Sequence, residues 1–412
     1  MYGYKKLLEV LAVLVVVTPL FIAAPLCAKP WGIVATQPDY FDNGDNESIH
    51  VIDLGQTPPV VYGPFLSGQL TAGDGPGVFD IALFKNGKRA LISTFGDSRV
   101  HLVDLKNPTN PVLLGSLDLP FFAASDIAIT KNGKLALVTD GGGSPVVAFI
   151  DLKTFTLINV VVFDGLNANA VDIAGNNIAI FIDYSQGLIF YGKINRTRNG
   201  FKYLRTVALC DDGQYDNATD CMGELGWPVN VTVSPNGRTV LAANSSFRGT
   251  IFAFELTKNG DLIPGDPFML TGLPGENQSI AFQNNSTAYV TVQRRPLEIP
   301  GAAAVNGQTG TSDVEPGQQN QLCQINILGP GRTQYVTARY TLLSYSTSQL
   351  LGVDTLAIQG KNALVSNSSL IVGDPFEYPY YNYVAYIDLL TGVLTPIELN
   401  NYGVAAGVAI TR

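Results

Sequence analysis

Short runs of alternating apolar and polar residues fill most of the chain, separated by clusters of Gly, Asn, Asp and Pro. Ser125–Leu152 (SDIAITKNGKLALVTDGGGSPVVAFIDL) shows the unit. Ser125–Thr130 alternates, and Lys131-Asn132-Gly133-Lys134 puts an Asn-Gly pair at a tight hairpin. Leu135–Thr139 returns, and Val146–Leu152 makes a third strand ending in Ile-Asp-Leu. The pattern predicts an antiparallel meander.

The unit recurs along the chain. Phe79–Leu83, Arg89–Thr94, Arg99–Leu105 and Val112–Leu119 form a complete set of four strands, and Leu157–Phe163 completes the set begun at Ser125. Further sets open at Ala170–Ala174, Val229–Ser234, Gln278–Gln283 and Val353–Gln359; Ile263–Leu270 is read as one outer strand. At the N-terminus, Trp31–Gln37, Ser48–Leu54 and Val60–Leu66 lack an opening strand, while Ala406–Thr411 is an opening strand with no successor. Joining the two ends in one blade gives an all-β, seven-bladed propeller of four antiparallel strands per blade, and closure removes the exposed edges of an open array. A stack of sandwiches would leave both terminal fragments unexplained.

Composition agrees with one closed array at 29–412 rather than several domains. There are 42 Gly and 24 Pro in 412 residues, and only 14% of residues are charged. The net charge of −9 argues against nucleic acid and anionic membrane surfaces as partners. Residues 1–28 read as a signal peptide: Lys5 and Lys6 precede the apolar stretch Leu7–Ala24, and Leu26-Cys27-Ala28 offers a cleavage site. An uncleaved anchor is the competing reading. Export to the periplasm, cell surface or medium follows. In an oxidising compartment, Cys210 and Cys221, bracketing a polar loop, are the expected disulfide, and Cys323 reads as a buried thiol.

The hairpins VNVTVSPNGRTVLAAN (Val229–Asn244) and SDIAITKNGKLALVT resemble the YVTN and lactonase-type propeller repeat. RVHLVDLKNPTNPVLLGSL (Arg99–Leu117) resembles the LVIVD repeat of exported bacterial propellers. The resemblance spans Trp31–Arg412 and implies a propeller; it does not imply an activity, because such propellers serve as binding modules, scaffolds and a few enzymes.

Lysines and arginines gather on the face carrying the turns between first and second and between third and fourth strands: Lys85, Lys88, Lys131, Lys134 and Lys153 are examples. Asp140, Asp183, Asp211, Asp212 and Asp374 fall on the opposite face, expected as an acidic partner-binding surface for a protein or polysaccharide. Phe376, Tyr378, Tyr380 and Tyr381 join it; these rings either bind sugar or peptide, or pack on their own blade. The insertion 294–320 reads as a flap or docking arm.

Aligning the hairpins places Asp80, Asp126, Asp172, Asn230, Ser279, Thr355 and Gly407 at equivalent positions near the channel mouth. Asp80, Asp126, Asp172 and Asn230 are hard oxygen donors suited to calcium or magnesium. The alternative is that they cap neighbouring turns. No catalytic residue is assigned. The two histidines, His50 and His101, lie in third strands away from the channel, and the chain has no G-x-S-x-G elbow or P-loop. The His, Glu and Arg site of lactonase-type relatives is not matched. The primary expectation is therefore an exported, non-catalytic binding or scaffold module. A calcium-dependent hydrolase of lactonase or esterase type, with its site at the channel mouth, is the alternative.

Overall fold

The computed structural model describes residues 29–37, 47–70, 77–175, 177–195, 200–209, 228–244, 250–264, 268–269, 276–293, 321–329, 332–341, 351–352, 355–366, 368–369, 383–399 and 404–411. The signal segment, Cys210, Cys221, the 294–320 insertion, Asp211, Asp212, Asp374, Phe376, Tyr378, Tyr380 and Tyr381 lie outside them. Seven four-stranded antiparallel blades form the ring of a seven-bladed β-propeller.

The ring closes between the chain ends. Val404–Ile410 is the inner strand of blade 1 and pairs with Trp31–Gln37, followed by Ser48–Asp53 and Val60–Phe65. Trp31 and Thr411 clasp each other: the Trp31 N–H donates to Thr411 Oγ1 at 3.0 Å, and the Thr411 N–H donates to the Trp31 carbonyl at 2.8 Å. The inner strands of blades 2 to 7 are Val78–Phe84, Ala124–Ile129, Ala170–Ala174, Pro228–Val233, Glu276–Phe282 and Leu356–Gln359.

Burial explains why alternation is clear in some strands and faint in others. Outer strands cover the blade in front on one face only, and Val112–Asp118 alternates between exposed and half-buried positions. Second strands are covered on both faces, so Leu135–Asp140 and Ile178–Asp183 are buried at every position. The core runs between neighbouring blades. Phe84, Leu91 and Leu102 of blade 2 pack with Ile127, Val138 and Ile150 of blade 3. Between blades 3 and 4, Phe163, Phe181 and Phe190 form a ring cluster in which Phe181 and Phe190 stack at 5.0 Å. Each such side chain contributes about 1.5–3 kcal/mol on burial. Cys323 and both histidines are also buried, as their positions predict.

One turn follows the sequence pattern closely, and two strands differ from it. The Asn132-Gly133 turn is a four-residue loop: the Thr130 N–H reaches the Leu135 carbonyl at 2.9 Å, and Asn132 Oδ1 accepts the Thr130 hydroxyl at 3.1 Å and the Lys134 N–H at 3.0 Å. An Asx turn with Gly133 left-handed (φ 62°) thus closes the hairpin at the expected four residues. The outer strand of blade 5 is split into Leu262–Pro264 and Phe268–Met269, both paired with Thr250–Leu256. Pro264 and Pro267 cannot donate to a ladder, which interrupts the run. The inner strand of blade 7 begins at Leu356, while Leu351–Gly352 pairs separately with Ser368–Ser369.

Candidate functional site at the channel

Hydrogen bonds link the equivalent inner-strand positions from blade to blade, and several of these positions sit at bulges. Pairing with the second strand slips between Val78 and Ile81, between Ala124 and Ile127, between Pro228 and Asn230, and between Asn277 and Ile280. A bulge bends the strand and turns the extra residue out of the ladder. It also leaves an N–H without a ladder partner, and a second-strand hydroxyl takes it: Asp80 N–H to Ser93 Oγ at 3.1 Å, Asp126 N–H to Thr139 Oγ1 at 3.1 Å, and Ser279 N–H to Thr291 Oγ1 at 3.0 Å. In blade 7 the Thr355 N–H likewise donates to Ser366 Oγ at 2.9 Å. These hydroxyls were not singled out in the sequence; their recurrence near the end of successive second strands was the available signal.

The carboxylates are engaged by the next blade. Asp80 Oδ2 accepts the Ile127 N–H at 3.0 Å, Asp126 Oδ2 accepts the Val171 N–H at 2.7 Å, and Asp172 Oδ2 accepts the Val233 N–H at 2.7 Å. Asn230 Oδ1 continues the series to the Ile280 N–H at 3.4 Å. The other oxygens of Asp126 and Asp172 accept the following residue's N–H, at 3.0 and 2.6 Å. Where the series ends, Thr355 Oγ1 donates to the Ala406 carbonyl at 2.8 Å, and Gly407 leaves room for blade 2, since a Cβ there would lie 3.1 Å from Ile81 Cγ1.

These acids are half-buried, and burial raises the pKa of all three. Asp126 is raised furthest above the usual carboxylate range, by burial and then by the charge of Asp80, to which it is hydrogen-bonded. Through these bonds Asp80, Asp126 and Asp172 cap N–H groups of the next blade, the alternative role expected of them. Among the described residues no three His, Cys, Asp or Glu side chains converge as metal ligands.

The expected partner-binding acids that are described have structural surroundings. Asp140 is fully buried, and its Oδ1 accepts the N–H groups of Ala123 at 2.9 Å and Gly142 at 2.8 Å. Asp183 is fully buried too; its Oδ2 accepts the Asn167 N–H at 3.0 Å and its Oδ1 the Ser185 hydroxyl at 2.7 Å and the Gln186 N–H at 3.0 Å. Both acids hold connecting loops beneath the surface instead of presenting charge. What those loops present is aromatic. Phe122 is 73% exposed, Phe79 is 45% exposed and stacks on Phe95 at 5.8 Å, and Tyr184 is 43% exposed. They lie on blades 2, 3 and 4 at the same end of the ring. Phe121 and Phe122 are indistinguishable in the sequence, and only packing separates them, because Phe121 is partly buried against the core.

Comparison with solved structures places this architecture among propellers of varied description. The chain is similar to a functionally unknown protein from Desulfotomaculum acetoxidans (TM-score 0.63, 12% identity, covering 93% of this chain and 99% of that one). It is similar to a periplasmic gluconolactonase from Pseudomonas aeruginosa (TM-score 0.61, 10% identity, 93% and 99%). A hydrazine synthase chain from Kuenenia stuttgartiensis also matches (TM-score 0.54, 15% identity, 82% and 99%). At these identities the likeness is one of fold. No family model and no curated protein matches the sequence. No described helix is long and apolar enough to cross a membrane.

Proposed function

We propose that the protein is an exported, non-catalytic binding propeller that engages a polysaccharide or peptide at the mouth carrying Phe79, Phe122 and Tyr184. The observation that carries this reading is the exposure of those rings on consecutive blades, above loops anchored by buried Asp140 and Asp183. Rigidly mounted aromatic faces with polar edges suit sugar rings and peptide side chains, and ordering them in advance lowers the entropy lost on binding. The channel acids support the same reading, since their hydrogen bonds tie each blade to the next. The predicted acids Asp211, Asp212 and Asp374 would add attraction for a basic partner.

Binding of cellohexaose and of a lysine-rich decapeptide to the purified chain from residue 29 tests the proposal, using the wild type and Phe122→Ala with Tyr184→Ala. Saturable binding of either probe that the double variant weakens tenfold or more supports it. Equal affinity in both proteins, or no saturable binding of either probe, overturns it.

The second reading, a calcium-dependent lactonase or esterase, draws on the fold likeness to a gluconolactonase. Hydrolysis of glucono-δ-lactone above the uncatalysed rate, lost on adding a chelator and in Asp126→Asn, would favour it over the binding reading.

A further inference from the structure

We propose that the opposite mouth of the channel, lined by lysines, is a binding site for a small polyanion carrying two or more phosphate or carboxylate groups. A cavity of about 870 Å³ opens there. It lies between the first turns of blades 2 and 3, the last turn of blade 3 and the end of the closing strand at Thr411. Lys85, Lys131, Lys134 and Lys153 line it, against the single acid Asp151.

Three features make this more than a solvated charged face. First, the charge is uncompensated. Among the described residues no carboxylate lies within ion-pair distance of these four lysines, whereas Lys29, Lys106 and Lys361 each have an acidic partner. Asp151 Oδ1 is already occupied by the N–H groups of Lys153 at 2.7 Å and Thr154 at 3.2 Å. The lining therefore carries a net charge of +3 in a chain whose total is −9. The four lysines are themselves exposed, and cations gathered around a concave space attract anions more strongly than the same charges spread over a convex surface.

Second, the first turn of blade 2 is held in an unfavourable backbone conformation. Lys85, Asn86 and Gly87 are consecutively left-handed, with φ of 51°, 58° and 75°. Each non-glycine residue in that region costs on the order of 1 kcal/mol. The turn sits directly on the closing strand, where a Cβ on Gly87 would lie 2.7 Å from Thr411 Cβ. The turn places Lys85 in the cavity lining, its ammonium 5.8 Å from the Phe84 ring centroid.

Third, the cavity follows from the way the ring closes. Blade 1 has no hairpin between its first two strands, because its inner strand is the end of the chain and its second strand begins near residue 31. One turn is thus missing from the ring of turns around this mouth. The size of the space is that of small-molecule sites. This site is separate from the aromatic mouth and does not depend on the function proposed there.

Titration calorimetry with inorganic pyrophosphate and with citrate, at 50 and 300 mM NaCl, tests the proposal and distinguishes phosphate from carboxylate ligands. The variants are Lys131→Gln with Lys134→Gln, and, as a control away from the cavity, Lys258→Gln with Lys361→Gln. The expected result is one saturable site per chain for at least one probe, weakened tenfold or more in the cavity variant, within twofold of wild type in the control, and weaker at the higher salt. Absence of saturable binding in the wild type overturns the proposal. Equal affinity of the cavity variant and the wild type, or equal loss in both variants, overturns it too, the last because it signals diffuse attraction. Unchanged melting temperatures in both variants verify that the fold is kept.

Discussion

The carboxylate of Asp126 accepts the backbone N–H of Val171, 45 residues further along the chain, at 2.7 Å. This bond crosses from the inner strand of blade 3 to that of blade 4, and Asp126 also accepts its neighbour's N–H from Ile127. Asn offers an acceptor of the same shape and carries no charge beside Asp80. Asp126→Asn should therefore keep stability within about 1 kcal/mol of wild type at pH 7, whereas Asp126→Ala, which strands the buried Val171 N–H, should cost about 2–3 kcal/mol. Urea unfolding of the two variants checks the contrast.

Acid should affect the histidines and the channel acids in opposite directions. Burial lowers His50 and His101 to about 4 from an ordinary value of 6.5. Below pH 6.5 the unfolded chain takes up protons that the folded histidines refuse, so their contribution is complete above pH 6.5 and is lost as pH falls toward 4, at most about 3 kcal/mol each. His50 is fully buried with neither ring nitrogen partnered among the described residues. His50→Leu should be at least as stable as wild type at pH 7 and should lose less stability between pH 6.5 and 4, measured by urea unfolding across that range.

For Asp80, Asp126 and Asp172 the folded pKa is raised, so the folded state holds protons that the unfolded chain releases until the pH nears 3.8. Acidification therefore relieves a cost in the native state. Asp126→Asn removes that compensation, and its stability should fall more steeply with acid than that of wild type. A parallel pH profile in the two proteins would show that the fold does not raise the pKa of Asp126.

Ring closure rests on the reciprocal bonds between Trp31 and Thr411 and on the strand that ends there. Thr411→Val keeps the shape and removes the acceptor for the Trp31 N–H, at a cost of about 1 kcal/mol. Deleting residues 404–412 exposes the edge of Trp31–Gln37, and the product should aggregate on purification, as size-exclusion chromatography would show.

Gly192 is required by close approach. A Cβ there would meet the Phe201 ring and lie 2.5 Å from the Lys202 carbonyl oxygen, at a slip in the pairing of the third and outer strands of blade 4. Because part of the obstacle is backbone, Gly192→Ala should cost about 3 kcal/mol in unfolding free energy.

The sequence by itself determined the strands, their order, the blade count and the closing partnership of the two chain ends. Those features rest on local physics: alternation marks a strand, Asn and Gly mark its turn, and an unmatched Ala406–Thr411 marks the missing inner strand. It also brought Asp80, Asp126, Asp172 and Asn230 to one level of the channel, because equivalent positions in a repeat occupy equivalent places. The tertiary structure decided what those side chains do. Their partners are N–H groups 45 to 61 residues away on the neighbouring blade, and no local pattern records which lone pairs they occupy. The same holds for Asp140 and Asp183, whose charges read as surface until the loops fold over them. Phe122 and the lysine-lined cavity likewise depend on how blades pack side by side and on the turn missing at the closure, both relations between distant segments of chain.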